Sequence, residues 1–364
     1  MWAGVSIQFF HFFHSPSPHS PFTDGSTTQP LYSLFFWGFS FLVSRFSFAF
    51  ICHANYCPLR SRPNMKFQRV DGRVARVRDD NASGDAQSPT TLSVLYRVLE
   101  ENPPDKMDAE KRALPFQPRS YRDFMLFERH YYGAAIGMTS LYRPLANTLG
   151  RLFSAVTGAD FPLFKPPTLW YKQPIFYQSN HLAFYSDGAS ITYPAYCEYL
   201  DVELELGVVL GKPLYNATPD EAIAAIAGFC VLNDFSARNV QMEEMASGFG
   251  PQHSKSFANS ISSTVVSADE ILPRLGSLSG RVLINGLVVK EPRIDDNWQF
   301  SLGQALSHVS KGTRLYPGEF FGSGTFPLGA GIEYTAFKLQ VGDVVKLEID
   351  GIGSVTNTIV AEAP

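Results

Sequence analysis

Three carboxylates stand at alternate positions in the segment DVELEL, residues 201–206. Alternate side chains of a β-strand point to the same face, so Asp201, Glu203 and Glu205 would form a row with aliphatic residues on the other face. A fourth carboxylate, Asp234, follows the apolar segment GFCVLN, which is typical of a buried strand. Because binding sites are often built where strands end, we expect Glu203, Glu205 and Asp234 to converge.

A buried cluster of three carboxylates needs compensation. Two like charges about 4 Å apart repel by roughly 4 kcal/mol at an effective dielectric constant near 20. A protonated carboxylate or an Arg or Lys side chain would relieve this repulsion, but the simplest compensation is a divalent cation. Oxygen ligands without a nearby His or Cys favour a hard ion: Mg²⁺, Mn²⁺ or Ca²⁺. The alternative is a half-exposed strand with its carboxylates in water, although the apolar neighbours GVVLG and GFCVLND favour burial.

The chain between the two strands has the pattern of a helix. In TPDEAIAAIAG, Thr218 suits the N-cap, Pro219 the first helical position and Glu221 the third position of a capping box, with Gly228 as terminator. A strand–helix–strand unit of this kind brings Asp234 back beside the strand that carries the other carboxylates.

The other patterns predict a β-rich α+β chain. FQRVDGRVARV is typical of a strand pair that turns at Asp71-Gly72, and GRVLINGLVV of a hairpin that turns at Asn285-Gly286. LSVLYRVLEE predicts a short helix, and GDVVKLEIDGIGSVTNTIV is rich in strand-forming residues. The chain has no nucleophile-elbow motif, Walker loop or dinucleotide-binding glycine motif, which argues against a serine hydrolase, a nucleotide hydrolase and a Rossmann dehydrogenase.

Further polar residues suit chemistry outside these strands. In SYRDFMLFERHYYG, Asp123 precedes His130 by seven residues, or two helical turns, so a helix would place a metal ligand and a general base on one face. A histidine beside aromatic residues is also a common structural group. Downstream, Lys255 follows a glycine-rich loop, and Thr325 lies in FGSGTFPLGAG, which predicts a flexible turn with free backbone N–H groups. Either could bind an anionic substrate or be an ordinary lysine and turn threonine.

Together these segments resemble the fumarylacetoacetate hydrolase family. The resemblance rests on DVELELGVVLGKP, GFCVLNDFSARNVQ, SKSF, GSGTFPLGAG and GDVVKLEIDGIG, in that order, and covers residues 119–360. It implies a mixed β-sheet roll around a metal site, within a catalytic domain of residues 119–364 that is usually dimeric. Residues 65–118 are then expected to form a small N-terminal region.

The same resemblance implies roles for nine residues. The implied metal ligands are Asp123, Glu203, Glu205 and Asp234, with Mg²⁺ as the ion and Mn²⁺ or Ca²⁺ as alternatives. The implied general base is His130, and the residues implied to hold substrate or the developing oxyanion are Lys255, Thr325, Gln241 and Arg238. Asp201 is not implied to be a ligand; it is expected to begin the strand or to contact one of the metal ligands.

Two positions depart from the family pattern. The glutamate that pairs with the family's histidine is expected in the last strand, where this chain has Lys346, with Glu348 two residues on. In the fumarylacetoacetase-like branch an arginine binds the substrate carboxylate; Thr139 occupies its place, and Arg143 is the nearest candidate. These departures argue against fumarylacetoacetate itself. The apolar insertion at residues 137–162 is expected to cover the pocket or a dimer partner.

The resemblance implies a catabolic hydrolase that cleaves a carbon–carbon bond in a 1,3-diketo acid, an acylpyruvate or a fumarylacetoacetate-like compound, through a metal-stabilised enolate. In this interpretation His130 takes a proton from the attacking water. The alternative is a decarboxylase, isomerase or hydratase of a 2-oxo acid on the same metal site. A further alternative is a metal-stabilised binding protein without activity, against which the four carboxylates, His130 and Lys255 argue.

The first 64 residues differ from the rest, because they hold 12 of the 30 phenylalanines and a single acidic residue. Their stretch LYSLFFWGFSFLV is shorter than the roughly 20 apolar residues of a membrane span, so stable membrane insertion is not expected. We expect residues 1–64 to be a leader, either a targeting segment or a mis-assigned start before Met65. A net charge of −4 gives no reason to expect nucleic acid as a partner, and four cysteines are too few for a disulfide framework, which favours a cytoplasmic protein, with a mitochondrial location as the alternative. The family resemblance implies a homodimer that binds a small oxo acid.

Overall fold

The computed structural model describes residues 65–77, 89–104, 114–294, 297–334 and 338–363. The expected leader, residues 1–64, lies outside the described residues. The described residues belong to one compact unit, Leu59–Pro364. Among them, no helix has the length and apolar character needed to cross a lipid bilayer.

The described chain is built mainly of short strands. These are β1 (Lys66–Val70), β2 (Arg73–Val77), β3 (Tyr121–Phe124), β4 (Phe176–Ser179), β5 (Phe184–Tyr185), β6 (Ser190–Tyr193), β7 (Leu200–Asp201), β8 (Glu203–Leu210), β9 (Ile226–Asp234), β10 (Ser236–Ala237), β11 (Asn259–Ile261), β12 (Thr264–Ser267), β13 (Gly280–Ile284), β14 (Leu287–Lys290), β15 (Phe320–Ala330), β16 (Val344–Ile349) and β17 (Gly353–Ala361). The helices are α1 (Pro89–Glu101), α2 (Glu128–Tyr142), α3 (Pro144–Thr157), α4 (Pro219–Ile223), α5 (Arg238–Ser247), α6 (Ala268–Ile271) and α7 (Leu302–Ser310), with 3₁₀ turns at Pro162–Phe164, Leu272–Ser277 and Gly331–Glu333.

The strands form mixed sheets, as predicted. The largest sheet has the order β2-β1-β12-β9-β8-β15-β3-β4, and β11 joins β5 to β9 in the same sheet. A five-stranded sheet has the order β14-β13-β16-β17-β6, and β7 pairs with β10. Most neighbours are antiparallel, but β15 runs parallel to β3 and β17 runs parallel to β6. The predicted turns at Asp71-Gly72 and Asn285-Gly286 both join antiparallel strands, and all four residues have positive φ.

The central strands β8 and β9 are buried along their whole length. On one face of β8, Leu204, Leu206 and Val208 belong to the same apolar core as Leu347 and Ile349 of the five-stranded sheet. On the other face, Val209 of β8 packs in a second core with residues of α1 and β1. Glu203 and Glu205 share the face of Val209, because alternate residues point the same way. The carboxylates therefore stand on a strand without a solvent-facing side.

The predicted strand–helix–strand unit is present, with a shorter helix. The capping box forms, since Thr218 Oγ1 accepts from Glu221 N and Glu221 Oε2 accepts from Thr218 N. The helix ends at Ile223, and Gly228 lies inside β9 instead of terminating a helix. A Cβ atom at Gly228 would lie 2.6 Å from the carbonyl oxygen of Val266, so the glycine permits close strand pairing. Because Leu204 pairs with Asn233 in β9, Asp234 shares a face with the two glutamates.

We expect Thr218→Ala to lower the free energy of unfolding by about 1 kcal/mol, because the N–H of Glu221 loses its acceptor. Chemical denaturation followed by circular dichroism measures the change. Thr218→Ser keeps the hydroxyl and is expected to stay within about 0.5 kcal/mol of the parent. Equal destabilisation by both substitutions would contradict a role for the cap.

Candidate metal centre

Three carboxylates from three strands meet at one point. Asp123 of β3, Glu205 of β8 and Asp234 of β9 are buried, and one oxygen from each lies within 4.8 Å of the others. Asp123 is in a strand, so the prediction that it shares a helix face with His130 is wrong. The separation of seven residues instead spans the end of β3 and the first turn of α2.

A glycine provides the space in which these carboxylates approach each other. Strand β15 lies between β3 and β8, and its Gly322 pairs with Asp123 on one side and with Gly207 on the other. A Cβ atom at Gly322 would overlap Asp123 Oδ1 and lie 2.5 Å from Glu205 Oε2. The absence of a side chain at Gly322 is therefore necessary for the carboxylates to come together.

Thr325 and the preceding glycine hold two of the carboxylates. Both lie within β15, so the predicted flexible turn is instead part of a strand. Thr325 Oγ1 lies 3.2 Å from Glu205 Oε1 in a hydrogen bond. The N–H of Gly324, which was expected to be free, lies 3.3 Å from Asp123 Oδ1 and 3.2 Å from Glu205 Oε2.

Glu203, also predicted as a ligand, faces two cations. Its Oε1 lies 2.7 Å from Arg238 Nη1, and its Oε2 lies 2.5 Å from Lys255 Nζ. Lys255 Nζ also lies 2.6 Å from Asp234 Oδ2. Of the four predicted ligands, the structure therefore brings together Asp123, Glu205 and Asp234, while Glu203 is joined to them through Lys255.

The charges of the cluster are unevenly balanced. Burial, and then the charge of Asp234, raises the pKa of Asp123 to about 8. Burial raises the pKa of Asp234 to about 6, although Lys255 opposes this rise. Burial and the charges of Asp123 and Asp234 also raise the pKa of Glu205 well above its ordinary value. Burial works against the ionised form of Glu203 too, but Lys255 and Arg238 outweigh it and hold the pKa of Glu203 below its usual range.

A divalent cation fits the three carboxylates. They offer oxygen atoms alone, which hard cations prefer, and burial followed by the neighbouring carboxylates raises the pKa of Asp123 and Glu205. Asp234 Oδ1 is buried and accepts no hydrogen bond from the described residues. An orphaned carboxylate oxygen that faces two other carboxylates is the group a cation would satisfy.

His130 is paired with a glutamate that the sequence analysis missed. The histidine lies in the first turn of α2, and its Nδ1 is 3.1 Å from Glu333 Oε2, with both side chains buried. The contact does not meet hydrogen-bond geometry. Lys346 and Glu348, where the partner was expected, form an ion pair with each other on β16. One signal was available: Glu333 is the only charged residue in residues 320–337.

Asp201 contacts both Arg238 and the turn that carries Glu333. Its carboxylate accepts from Nε and Nη2 of Arg238 at 2.9 and 2.7 Å. It also accepts from the backbone N–H groups of Gly331 and Ile332, both at 2.9 Å, directly before Glu333. Asp201 thus positions both the cation that faces Glu203 and the turn that carries the partner of His130.

A tyrosine is a second residue that the sequence analysis missed. The Tyr177 hydroxyl donates to Asp234 Oδ2 at 2.5 Å, and burial followed by the charge of Asp234 raises the pKa of Tyr177 well above its ordinary value. Tyr177 follows an ordinary stretch, QPIF, so no pattern in the sequence distinguishes it. Its hydroxyl and Lys255 share one oxygen of Asp234, which leaves the other oxygen to the cluster.

The predicted residues converge on one cavity of about 820 Å³. Asp234 does not line it but contacts Lys255, which does. The other eight of the nine line it: Asp123, His130, Glu203, Glu205, Arg238, Gln241, Lys255 and Thr325. Arg238 and Gln241, expected to bind substrate, also contact each other, because Arg238 Nη1 donates to Gln241 Oε1 at 2.8 Å. A site with buried acids, a histidine and a cation on one cavity wall can bind a metal and an anionic ligand side by side.

We expect Glu205→Gln to weaken Mn²⁺ binding by about 100-fold or more, because losing an outer-shell partner of a ligand already costs about 10–100-fold. Isothermal titration calorimetry on the full chain measures the affinity. The control is Glu348→Gln, which removes a carboxylate from an ion pair outside the cavity and is expected to leave Mn²⁺ binding unchanged. An unchanged affinity in Glu205→Gln would exclude this residue as a ligand.

The pKa values predict how stability depends on pH. A pKa that is higher in the folded protein than in the unfolded chain stabilises the fold at low pH, and this contribution is lost as the pH rises through the folded value. The metal-free protein should therefore lose stability as the pH rises from about 4, where aspartates ionise in the unfolded chain, through about 6 and about 8, where Asp234 and Asp123 ionise in the fold. The unfolding temperature in EDTA should fall over this range, while the gain from saturating Mn²⁺ should grow. A metal-free unfolding temperature that rises over the same range would contradict this electrostatic account.

Comparison with known proteins identifies the family to which the chain is similar. Residues 155–360 match the family model described as fumarylacetoacetate (FAA) hydrolase C-terminal. Fumarylacetoacetate hydrolase domain-containing protein 2 homolog of Dictyostelium discoideum is 31% identical over 198 residues, which are 52% of this chain and 64% of that protein. The mitochondrial oxaloacetate tautomerase FAHD1 of Mus musculus is 30% identical over 182 residues, or 50% of this chain and 79% of that protein.

Solved structures share the fold. The fumarylacetoacetate hydrolase EaFAH from Exiguobacterium antarcticum superimposes with a TM-score of 0.55 at 19% identity, covering 82% of this chain and 99% of that one. The 2-hydroxyhepta-2,4-diene-1,7-dioate isomerase from Mycobacterium marinum gives 0.54 at 19% identity, covering 82% of this chain and 100% of that one. At this identity the likeness concerns the fold alone. Because the family model matches more than half of its residues, the chain belongs to the fumarylacetoacetate hydrolase family.

Proposed function

We propose that the chain is a metal-dependent hydrolase that cleaves a carbon–carbon bond in a 1,3-diketo acid, with acylpyruvates as the substrate class. The family is one of enzymes, and its members catalyse more than one reaction. The observation that carries the proposal is the buried contact between His130 and Glu333 on the cavity that also contains the carboxylate cluster. A histidine oriented by a carboxylate beside a metal centre suits the activation of water.

The cation would be held by Asp123, Glu205 and Asp234. We propose Glu203 as its fourth ligand. We propose Mg²⁺, with Mn²⁺ or Ca²⁺ as alternatives. When bound, the cation supplies Lewis-acid polarisation of the substrate oxygens. Lys255 supplies a fixed positive charge, because Asp234 and Glu203 raise its pKa above the ordinary value despite the opposing effect of burial. Thr325 keeps Glu205 in place and borders the region where the substrate oxygens would lie.

His130 is the proposed general base. Because Nδ1 faces Glu333, the proton is favoured on Nδ1, and Nε2 is left to accept a proton from water. The water oxygen bonds to the acyl carbonyl carbon, and the bond from that carbon to the neighbouring methylene carbon then breaks. The bonding electron pair leaves as the enolate of pyruvate, and the proton on Nε2 passes to its carbon. The products are a carboxylic acid and pyruvate.

The second candidate is proton transfer or decarboxylation on a 2-oxo acid. It is favoured by the name of the mouse relative, an oxaloacetate tautomerase, and by the isomerase/decarboxylase names of two Escherichia coli relatives. The same histidine could move a proton between carbon and oxygen of the substrate without an attacking water. The two candidates differ in whether the carbon–carbon bond of a diketo acid is hydrolysed.

We also propose a homodimer in the cytoplasm, with a small oxo acid as ligand. A mitochondrial location is the alternative, since the names of the mouse and rat relatives include that compartment. The catalytic domain at residues 119–364, preceded by a small region at 65–118, is likewise proposed. The hairpin of β1 and β2 pairs with β12, so residues of this small region extend the main sheet.

The deciding experiment incubates the full chain, loaded with Mn²⁺, with acetylpyruvate, fumarylpyruvate and oxaloacetate, and identifies products by NMR. Acetate plus pyruvate from acetylpyruvate would support the hydrolase. Pyruvate and CO₂ from oxaloacetate, or only keto–enol exchange, with both diketo acids intact, would move the assignment to the second candidate.

We expect His130→Gln to lower kcat for hydrolysis about 10²- to 10⁴-fold, because it removes the proton acceptor. Glu333→Gln should lower kcat in the same direction, while both variants keep Mn²⁺ affinity in calorimetry, since neither residue belongs to the carboxylate cluster. Glu348→Gln serves as the matched control and should keep full activity. Full hydrolytic activity in His130→Gln would remove His130 from the mechanism.

A further inference from the structure

The walls of the cavity differ sharply from its charged end. Away from the carboxylates the lining is mostly apolar, and four of the seven methionines of the chain are part of it. These methionines are Met125, Met138, Met242 and Met245, and Trp170 and Phe249 lie among them. We call these six residues the methionine wall. Methionine side chains are flexible and polarisable, so they adapt well to an apolar ligand of irregular shape.

Part of this lining is exposed to solvent. Met245 is 47% exposed and Phe249 is 88% exposed, and they come from α5 and the loop that follows it. Leu169, from the segment before β4, lines the same cavity and is 51% exposed. Exposed apolar side chains from separate segments that converge on one cavity mark a binding surface more often than chance packing. The surface continues into the charged end, so one ligand could cover both.

The size of the cavity also favours a ligand with a large apolar group. Its volume of about 820 Å³ lies in the upper part of the range of roughly 300–1,000 Å³ that is typical of pockets for drug-sized ligands. Acetylpyruvate is much smaller and would leave the methionine wall in contact with water. A substrate with a long apolar group would fill the space.

Two of the three Arg and Lys side chains that line the cavity are already paired with carboxylates of the protein. Arg238 and Lys255 are each paired with buried carboxylates. Arg143 also lines the cavity and is exposed, and no carboxylate of the described residues lies within ion-pair distance of it. The buried hydroxyl of Thr139 donates to the backbone oxygen of Ala135 at 2.7 Å, within its own helix. The second carboxylate of a dicarboxylate would therefore have Arg143 as its one lining cation that is not ion-paired among the described residues.

We infer that the substrate is an acylpyruvate with a long, apolar acyl group, which lies against the methionine wall while the diketo acid end faces the carboxylate cluster and Lys255. This inference rests on the proposed function and narrows its substrate class. It predicts that a long linear alkyl acyl group is preferred to the acetyl group, which is small, and to the fumaryl group, which is charged.

The test measures kcat/KM of the Mn²⁺-loaded full chain for acetylpyruvate, hexanoylpyruvate, decanoylpyruvate and fumarylpyruvate. Burial of each added methylene should raise kcat/KM about fourfold until the cavity is filled, so hexanoylpyruvate should exceed acetylpyruvate by more than about 100-fold. Equal values across the alkyl series would overturn the inference. A preference for fumarylpyruvate that Arg143→Gln abolishes would overturn it as well, because the cavity would then select charge.

Two variants connect the preference to the wall. Met242→Gln and Met245→Gln keep the length of the side chain but make it polar, and each should lower the ratio of kcat/KM for hexanoylpyruvate over acetylpyruvate about tenfold. The control is Leu287→Gln on β14, where the parent residue is 72% exposed and does not line the cavity. This control should leave the ratio unchanged. A ratio unaffected by both methionine substitutions would show that the preference arises elsewhere.

A binding measurement separates this inference from the proposed function. If the protein cleaves none of the acylpyruvates, the hydrolase proposal fails, and calorimetry then compares pyruvate with 2-oxodecanoate on the Mn²⁺-loaded protein. Tighter binding of 2-oxodecanoate, weakened by Met242→Gln, would support the apolar site without hydrolysis. Equal dissociation constants would overturn the inference too.

Discussion

The structure depends on the pairing of Arg238 with Asp201 and Glu203 in the interior. All three side chains are buried, and a buried charge is tolerated only when it is paired and hydrogen-bonded. The guanidinium group meets Asp201 with two of its nitrogens, which fixes its plane. Removing Arg238 would leave the buried charge of Asp201 without a cation, because Arg238 is the one cation paired with Asp201 among the described residues. This constraint explains why a strand buried on both faces can begin with acidic residues.

The buried ion pairs do not extend to every carboxylate of the site. Arg238 and Lys255 face Asp201, Glu203 and one oxygen of Asp234, whereas Asp123 and Glu205 face backbone and hydroxyl donors. Hydrogen bonds from neutral donors do not offset burial and the neighbouring carboxylates, which raise the pKa of Asp123 and Glu205. Among the five buried acids of the site, Asp201, Glu203 and Asp234 each contact a cation of the protein. Asp123 and Glu205 have no such contact, and a divalent cation would supply the missing positive charge.

Local patterns predicted the parts of the site that lie on one strand pair. The alternation in β8, the apolar run of β9 and the capping box of α4 each depend on near neighbours, and the structure contains them. Asp123 was placed on a helix because a separation of seven residues does not distinguish one helix from a strand followed by a helix. Glu333 meets His130 only through the packing of α2 against a distant turn. The orientation of Glu203 depends on the cations of α5 and the loop after it, which its own strand does not encode.

Gly322 shows that the absence of a side chain is as necessary to this cluster as the carboxylates themselves. Its neighbours Asp123 and Glu205 approach each other through the volume that a side chain would fill. A related chain with every acidic residue retained would still lose the close approach of these carboxylates if a larger residue occupied this one position. The divergence of such centres can therefore begin at a residue that carries no functional group, and an inventory of acidic side chains would not detect it.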